Sequence, residues 1–174
     1  MALSIIVVTG EIQSGRTSLV HALCSRLDTL GNQLGGVIQV AHLPHKEKIS
    51  YAISDQATGN CMEFKTLKEH PDSFFVDGYY VHKEAFKWAY DVTIASLDKA
   101  DYIVIDEIGP LELQQKGFHL LLEKLLSSFE KHLIVVTSNE HVGAIIKKYQ
   151  LSTYNMVILK SNEEWEEQMN RVLS

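Results

Sequence analysis

The sequence predicts an α/β fold: a mostly parallel sheet with helices on both faces and one inserted antiparallel hairpin. Two observations carry this reading. Short runs of β-branched and other apolar residues alternate with segments whose apolar residues recur at helical spacing, and right-handed crossovers between such units build a parallel sheet covered on both sides. Between residues 41 and 75 the rhythm changes to alternating polarity around a turn-rich stretch, the pattern of a hairpin. At 174 residues, with no composition shift and no internal repeat, the chain (1–174) is expected to form a single domain with 41–75 as an insertion.

The elements follow in order. Leu3 to Thr9 is rich in Ile and Val and bounded by Gly10, as a strand buried on both faces requires. From Gly15 the period changes: Leu19, Val20, Leu23, Leu27 and Leu30 share a helical face, and Gly31 supplies a stop. A second strand is expected over Leu34 to Val40, entered through Gly35 and Gly36. Lys48 to Ser54 and Cys61 to Thr66 flank the turn Asp55-Gln56-Ala57-Thr58-Gly59-Asn60 and form the expected hairpin. Gly78 to His82 reads as a short aromatic strand, and Lys83 to Leu97 as a helix with Phe86, Ala89, Tyr90 and Ile94 inward. Tyr102 to Ile105 is a strand. Gln114 to Phe129 is a helix with Phe118, Leu121, Leu122, Leu125 and Leu126 inward. Leu133 to Val136 is a strand, Glu140 to Tyr149 a helix, Asn155 to Leu159 the last strand, and Glu163 to Leu173 an acidic-faced closing helix.

Bulk properties narrow the function. A net charge of −6 speaks against nucleic acid, whose phosphates call for basic surfaces. The longest N-terminal apolar run, Ile5 to Val8, is too short to span a bilayer and lacks the flanks of a signal peptide. Cys24 and Cys61 show no metal-like spacing and are read as reduced thiols of a cytoplasmic protein. The eight histidines are scattered and suggest no metal site.

The first chemistry lies after the first strand. Gly10-Glu11-Ile12-Gln13-Ser14-Gly15-Arg16-Thr17 matches the phosphate loop G-x-x-x-x-G-K-[ST] at every fixed position except the lysine. Glycines at both ends let successive N–H groups turn inward at a helix N-terminus, where they cradle phosphate. Gly10 to Ser18 are therefore candidate nucleotide-binding residues, and Thr17 can offer its hydroxyl to Mg²⁺. Arg16 is the departure. Arginine is planar, longer than lysine and permanently charged. It can hold phosphate oxygens bidentately, yet it is poorly suited to follow the charge that develops in a transition state. Binding survives such a change better than turnover does.

The second chemistry is Tyr102-Ile103-Val104-Ile105-Asp106-Glu107, an apolar strand ending in two carboxylates at the sheet edge where open α/β folds bind ligands. Asp106 is the candidate metal-holding residue and Glu107 the candidate water-activating one. Asn139, after the next strand, is read as a helix N-cap, with phosphate sensing as the alternative. Phe74, Phe75, Tyr79 and Tyr80 read as core aromatics rather than a base-stacking platform. The run Glu163-Glu164-Trp165-Glu166-Glu167 is a solvated helix start.

The continuation Ile105-Asp106-Glu107-Ile108-Gly109-Pro110-Leu111-Glu112-Leu113 closely resembles the I-D-E-I-G-P-M-E-L signature of the P-loop nucleoside-triphosphatase family known from thermophilic bacteria and archaea and from a human cancer-related member. Gly35-Gly36 is similar to that family's G-G-F segment and Gly78-Tyr79-Tyr80-Val81 to its G-x-Y-x-V segment, while Phe118 falls where the family has a phenylalanine. The resemblance runs from about Ile5 to about Trp165. It implies a RecA-like P-loop NTPase core and hydrolysis of ATP, GTP and other nucleoside triphosphates with Mg²⁺. Carried over by residue, Gly10, Gly15, Arg16 and Thr17 fall on the phosphate loop, and Asp106 and Glu107 on the metal and water positions. Besides Arg16, one feature departs: the family's arginine-rich segment after the glycine pair is replaced by Ile38 to Lys48, which has no arginine. Only Lys46 or Lys48 is expected to substitute.

Three functions remain open at this stage. The leading one is a slow Mg²⁺-dependent hydrolase of ATP- or GTP-type substrates, with Glu107 and Arg16 as catalytic residues. The others are a nucleotide-binding regulatory protein with a degenerate catalytic site and a small-molecule kinase.

Overall fold

The computed structural model describes residues 3–11, 15–42, 50–161 and 164–173. Its strands are β1 (Ser4–Thr9), β2 (Leu34–His42), β3 (Ser50–Asp55), β4 (Cys61–Thr66), β5 (Ser73–Val76), β6 (Tyr79–His82), β7 (Tyr102–Asp106), β8 (His132–Val136) and β9 (Asn155–Lys160). Its helices are α1 (Arg16–Thr29), α2 (Lys83–Ser96), α3 (Pro110–Leu113), α4 (His119–Ser128), α5 (Asn139–Lys148) and α6 (Trp165–Leu173). All strands join one sheet in the order β5-β6-β4-β3-β2-β7-β8-β1-β9. From β2 to β9 every pairing is parallel. From β2 outward to β5 every pairing is antiparallel.

Strands β1, β7 and β8 are buried on both faces, and alternation along each strand divides the core. Ile5 and Val7 of β1, Ile103 and Ile105 of β7, and Leu133 and Val135 of β8 pack with Ala85, Ala89, Leu121, Leu122, Leu125 and Ile145 from α2, α4 and α5. Ile6, Val8, Val104, Ile134 and Val136 face the other way, onto Leu19, Val20, Leu23 and Leu27 of α1 and Met169 of α6. This is why the apolar runs of these strands are continuous rather than alternating. Among the described residues, no helix is long and apolar enough to cross a membrane.

The glycine pair that enters β2 serves packing. Gly36 has φ 85°, and a Cβ on it would lie 2.0 Å from the carbonyl oxygen of Val104. A Cβ on Gly35 would strike Ser96 and Ile103. These glycines let β2 lie against β7 and so carry the antiparallel wing close to the carboxylates.

Several sequence expectations are corrected. The antiparallel wing holds a second hairpin, β5–β6, of which only the second strand was expected. The dipeptide Asp77-Gly78, with φ 49° and 86°, makes the two-residue turn that matches strand twist, and it was the overlooked signal. The helix expected over Gln114 to Phe129 begins only at His119 as α4, and a separate short helix α3 precedes it, because Gln115 takes φ 60° and the Phe118 N–H turns to Glu112 Oε1 (2.8 Å). Phe118 remains buried, as do Leu121, Leu122 and Leu125. Leu30 was placed on the inner face of α1 but lies past its end, 55% exposed. Phe75, read as core, is 64% exposed.

The close approach at Gly36 makes a direct prediction. Gly36→Ala forces backbone apart and should destabilise the fold by more than about 3 kcal/mol, read as loss of soluble protein or a large fall in Tm. A melting curve like that of the parent would refute this account of the glycine pair.

Candidate functional site

Strand order sets the geometry of the site. β8 lies between β1 and β7, so the loop leaving β1 and the acids ending β7 open at the same sheet edge, one strand apart. Of the sequence candidates, Gly10, Glu11, Gly15, Arg16, Thr17, Ser18, Asp106 and Glu107 are described, whereas Ile12, Gln13 and Ser14 lie outside the described residues. Gly15 caps α1 with φ 85°, the positive-φ backbone at the helix N-terminus that the glycine was read to allow. Thr17 and Ser18 are exposed at that helix start.

The central contact crosses the site. Arg16 Nη1 donates to Glu107 Oε1 at 2.9 Å, with the arginine side chain 11% exposed and the glutamate 35%. The two residues singled out for catalysis are thus held by each other. Asp106 lies beneath them, 1% exposed, and its Oδ2 accepts the Gln39 N–H at 3.2 Å. Burial foremost, then the charge of Glu107, pushes its carboxyl up to about 7, against the opposing influences of the Gln39 N–H, Lys65 and Arg16. Such a carboxylate suits a site where a cation would complete it. With the Thr17 hydroxyl it offers hard oxygen donors of the kind Mg²⁺ takes, together with phosphate and water.

The far side of the loop is tied down by Asn139. Its backbone N–H donates to Gly10 O (3.1 Å), its Oδ1 accepts from Thr9 Oγ1 (3.0 Å), and its Nδ2 donates to Glu11 Oε1 (3.2 Å). This corrects the cap reading. Ser138 is the N-cap of α5, and Asn139 instead joins the end of β8 to the phosphate loop. Beside it, Thr137 is fully buried and its hydroxyl has no partner among the described residues.

The signature after Asp106-Glu107 is structural. Glu112 is 2% exposed and accepts the backbone N–H groups of Gly109 and Phe118, both at 2.8 Å. Burial pushes its carboxyl up while these two bonds oppose the shift. Tyr149 Oη donates to the Glu112 carbonyl (3.0 Å) and lies 2.7 Å from His119 Nδ1. The turn that carries Glu107 is therefore pinned to α4 and α5.

Sequence reasoning missed Lys65. It named Lys46 and Lys48 as substitutes for the absent arginines, and both lie outside the described residues. Lys65 of β4 instead brings an ammonium into the field of Glu107 and Asp106, with burial pushing it below the ordinary lysine value against the pull of those acids, Glu112 and Asp77. The histidines are also less scattered than expected: ligand atoms of His70, His82 and Glu84 fall within 4.8 Å of one another. The His70 and His82 rings stack with centroids 4.4 Å apart and planes 18° apart, so their in-plane lone pairs do not converge on one ion. A cavity of about 910 Å³ at the opposite end of the sheet, lined by Asp28, Asn32, Gln56 and Thr58 among others, holds none of the carboxylates described above.

The fold and this arrangement define the class of P-loop NTPases. The family model described as NTPase matches residues 5–173. A nucleoside-triphosphatase THEP1 of Thermococcus kodakarensis is 32% identical over 145 residues, covering 82% of this chain and 79% of the relative. Two solved structures share the fold. THEP1 from Aquifex aeolicus superposes with a TM-score of 0.71 at 19% identity, covering 98% of this chain and 96% of that one. A human cancer-related nucleoside triphosphatase does so with a TM-score of 0.75 at 18% identity, covering 98% and 95%. The chain belongs to the NTPase family.

Asp106 also yields a stability prediction. With the folded carboxyl raised to about 7 from 3.8, folding takes up a proton between those values, so stability falls as pH rises through that window. Asp106→Asn removes the penalty. Without metal or nucleotide, its Tm advantage over the parent should open between about pH 4 and pH 7 and stay flat above. A gap that does not change with pH would contradict the buried-carboxylate account.

Proposed function

We propose that the protein is a Mg²⁺-dependent nucleoside triphosphatase that hydrolyses ATP- and GTP-type substrates slowly to the diphosphate and phosphate. The observation that carries the reading is the Arg16–Glu107 contact across β8, because it joins the loop built for phosphate to the carboxylate suited to activate water. In this reading the backbone N–H groups of the Gly10–Thr17 loop, with Ser18 behind them, hold the phosphates. Thr17 and Asp106 would hold Mg²⁺, which when bound neutralises charge on the outer phosphates. Two unpaired thiols, Cys24 and Cys61, suit a cytoplasmic setting.

Glu107 orients a water against the terminal phosphorus. The water oxygen forms a bond to phosphorus as the bond to the bridging oxygen breaks; the diphosphate leaves with that electron pair, and the proton of the water passes to Glu107 or to a phosphate oxygen. In this reading the same contact slows turnover. While Glu107 Oε1 is hydrogen-bonded to Arg16 it is not free to orient a water, and Arg16 is drawn off the phosphates. A regulatory nucleotide binder is the second reading, and the same ion pair favours it to the extent that Glu107 never becomes free.

Phosphate release measured for the parent, Arg16→Lys and Glu107→Gln separates these. Arg16→Lys should raise kcat by roughly ten-fold or more and Glu107→Gln should lower it by at least about ten-fold. Turnover unaffected by either change would sink the hydrolase mechanism. Tight nucleotide binding with no turnover in the parent or in Arg16→Lys would favour the regulatory reading.

A further inference from the structure

Among the described residues, Lys65 has no ion-pair partner. It pairs with Tyr51 of β3 and Val81 of β6, and Tyr51 pairs in turn with Ala41 of β2. The last pairing of β2 with β7 is Val37 with Ile105. The Ala41–Tyr51–Lys65 rung therefore overhangs the carboxyl ends of the parallel strands, where β7 delivers Asp106 and Glu107. The Lys65 ammonium stands 5.1 Å from the centre of the Phe64 ring and 5.9 Å from that of Tyr51. Tyr51 is itself held edge-on by Tyr79, with centroids 5.7 Å apart. Among the described residues, no carboxylate closes an ion pair with Lys65, while the other cation of the site, Arg16, is bonded to Glu107.

Aromatic faces hold a partly desolvated cation in place without neutralising it, and an unpaired half-buried ammonium costs free energy that an arriving anion would return. Guarding a sheet edge does not account for this lysine, because β4 is an interior strand flanked by β3 and β6. Resting on the triphosphatase reading above, we propose that Lys65 binds the terminal phosphate of the nucleoside triphosphate. The antiparallel wing thereby supplies the flexible ammonium that the phosphate loop, with arginine in the lysine position, lacks. The diphosphate product ends short of Lys65, so this contact distinguishes substrate from product and weakens as the terminal phosphate departs.

The test is calorimetric binding of ADP and of the non-hydrolysable imido analogue of ATP, both with Mg²⁺, to the parent, Lys65→Met and Lys65→Arg. Lys65→Met should weaken the analogue about ten-fold or more while ADP changes by less than about two-fold, and Lys65→Arg should keep most of the analogue affinity. Unchanged analogue affinity in Lys65→Met overturns the role of Lys65 and leaves the nucleotide site standing. Equal weakening of both nucleotides also overturns it, since that marks a structural effect. A parent that binds neither nucleotide overturns this inference together with the triphosphatase reading.

Discussion

Placing β8 between β1 and β7 is the constraint on which the site depends. Two strand spacings put the backbones of β1 and β7 roughly 10 Å apart, a gap too wide for backbone contact and within reach of paired long side chains. Arg16 and Glu107 close it at 2.9 Å. A planar guanidinium on a long stem suits such a span, because it meets a carboxylate with directed N–H groups, whereas lysine presents a compact, strongly hydrated charge. Arginine at this loop position is thus coherent with the strand order: it braces the cleft between β1 and β7.

The brace has an energetic counterpart beneath it. Asp106 is buried, its Oδ2 accepting the Gln39 N–H, and burial raises its carboxyl to about 7. Such a group costs the folded protein stability wherever it is ionised, because its charge is buried. Around it the turn is rigid, pinned by Glu112 to Gly109 and Phe118 and by Asn139 to Gly10 and Thr9. A fixed scaffold therefore surrounds the buried carboxylate.

Much of this was legible in the sequence because burial on both faces writes continuous apolar runs. Ile5 to Val8, Ile103 to Ile105 and Leu133 to Val136 could hardly be anything but central strands. That Gly15 to Thr17 and the Asp106-Glu107 pair come together was legible because the motifs place them at the ends of parallel strands. What failed depended on tertiary partners. Glu112 looks like a surface acid until its two backbone donors are seen, and the break between α3 and α4 has no proline to announce it. Asn139 has the composition of a cap, yet its bonds run to residues some 130 positions away. Lys65 follows Phe64 in an ordinary alternating strand, and only the overhang of the wing turns it toward the acids.

Where the nucleotide sits, and what Arg16 does when it arrives, decide how this site works. The most direct measurement is a structure of the protein with Mg²⁺ and the imido analogue of ATP. The expected result is phosphates on the Gly10–Thr17 loop, the metal between Thr17 and Asp106, and the Arg16 guanidinium moved off Glu107 toward the phosphates. Nucleotide seated elsewhere, or seated on the loop with the metal away from Asp106, would contradict it.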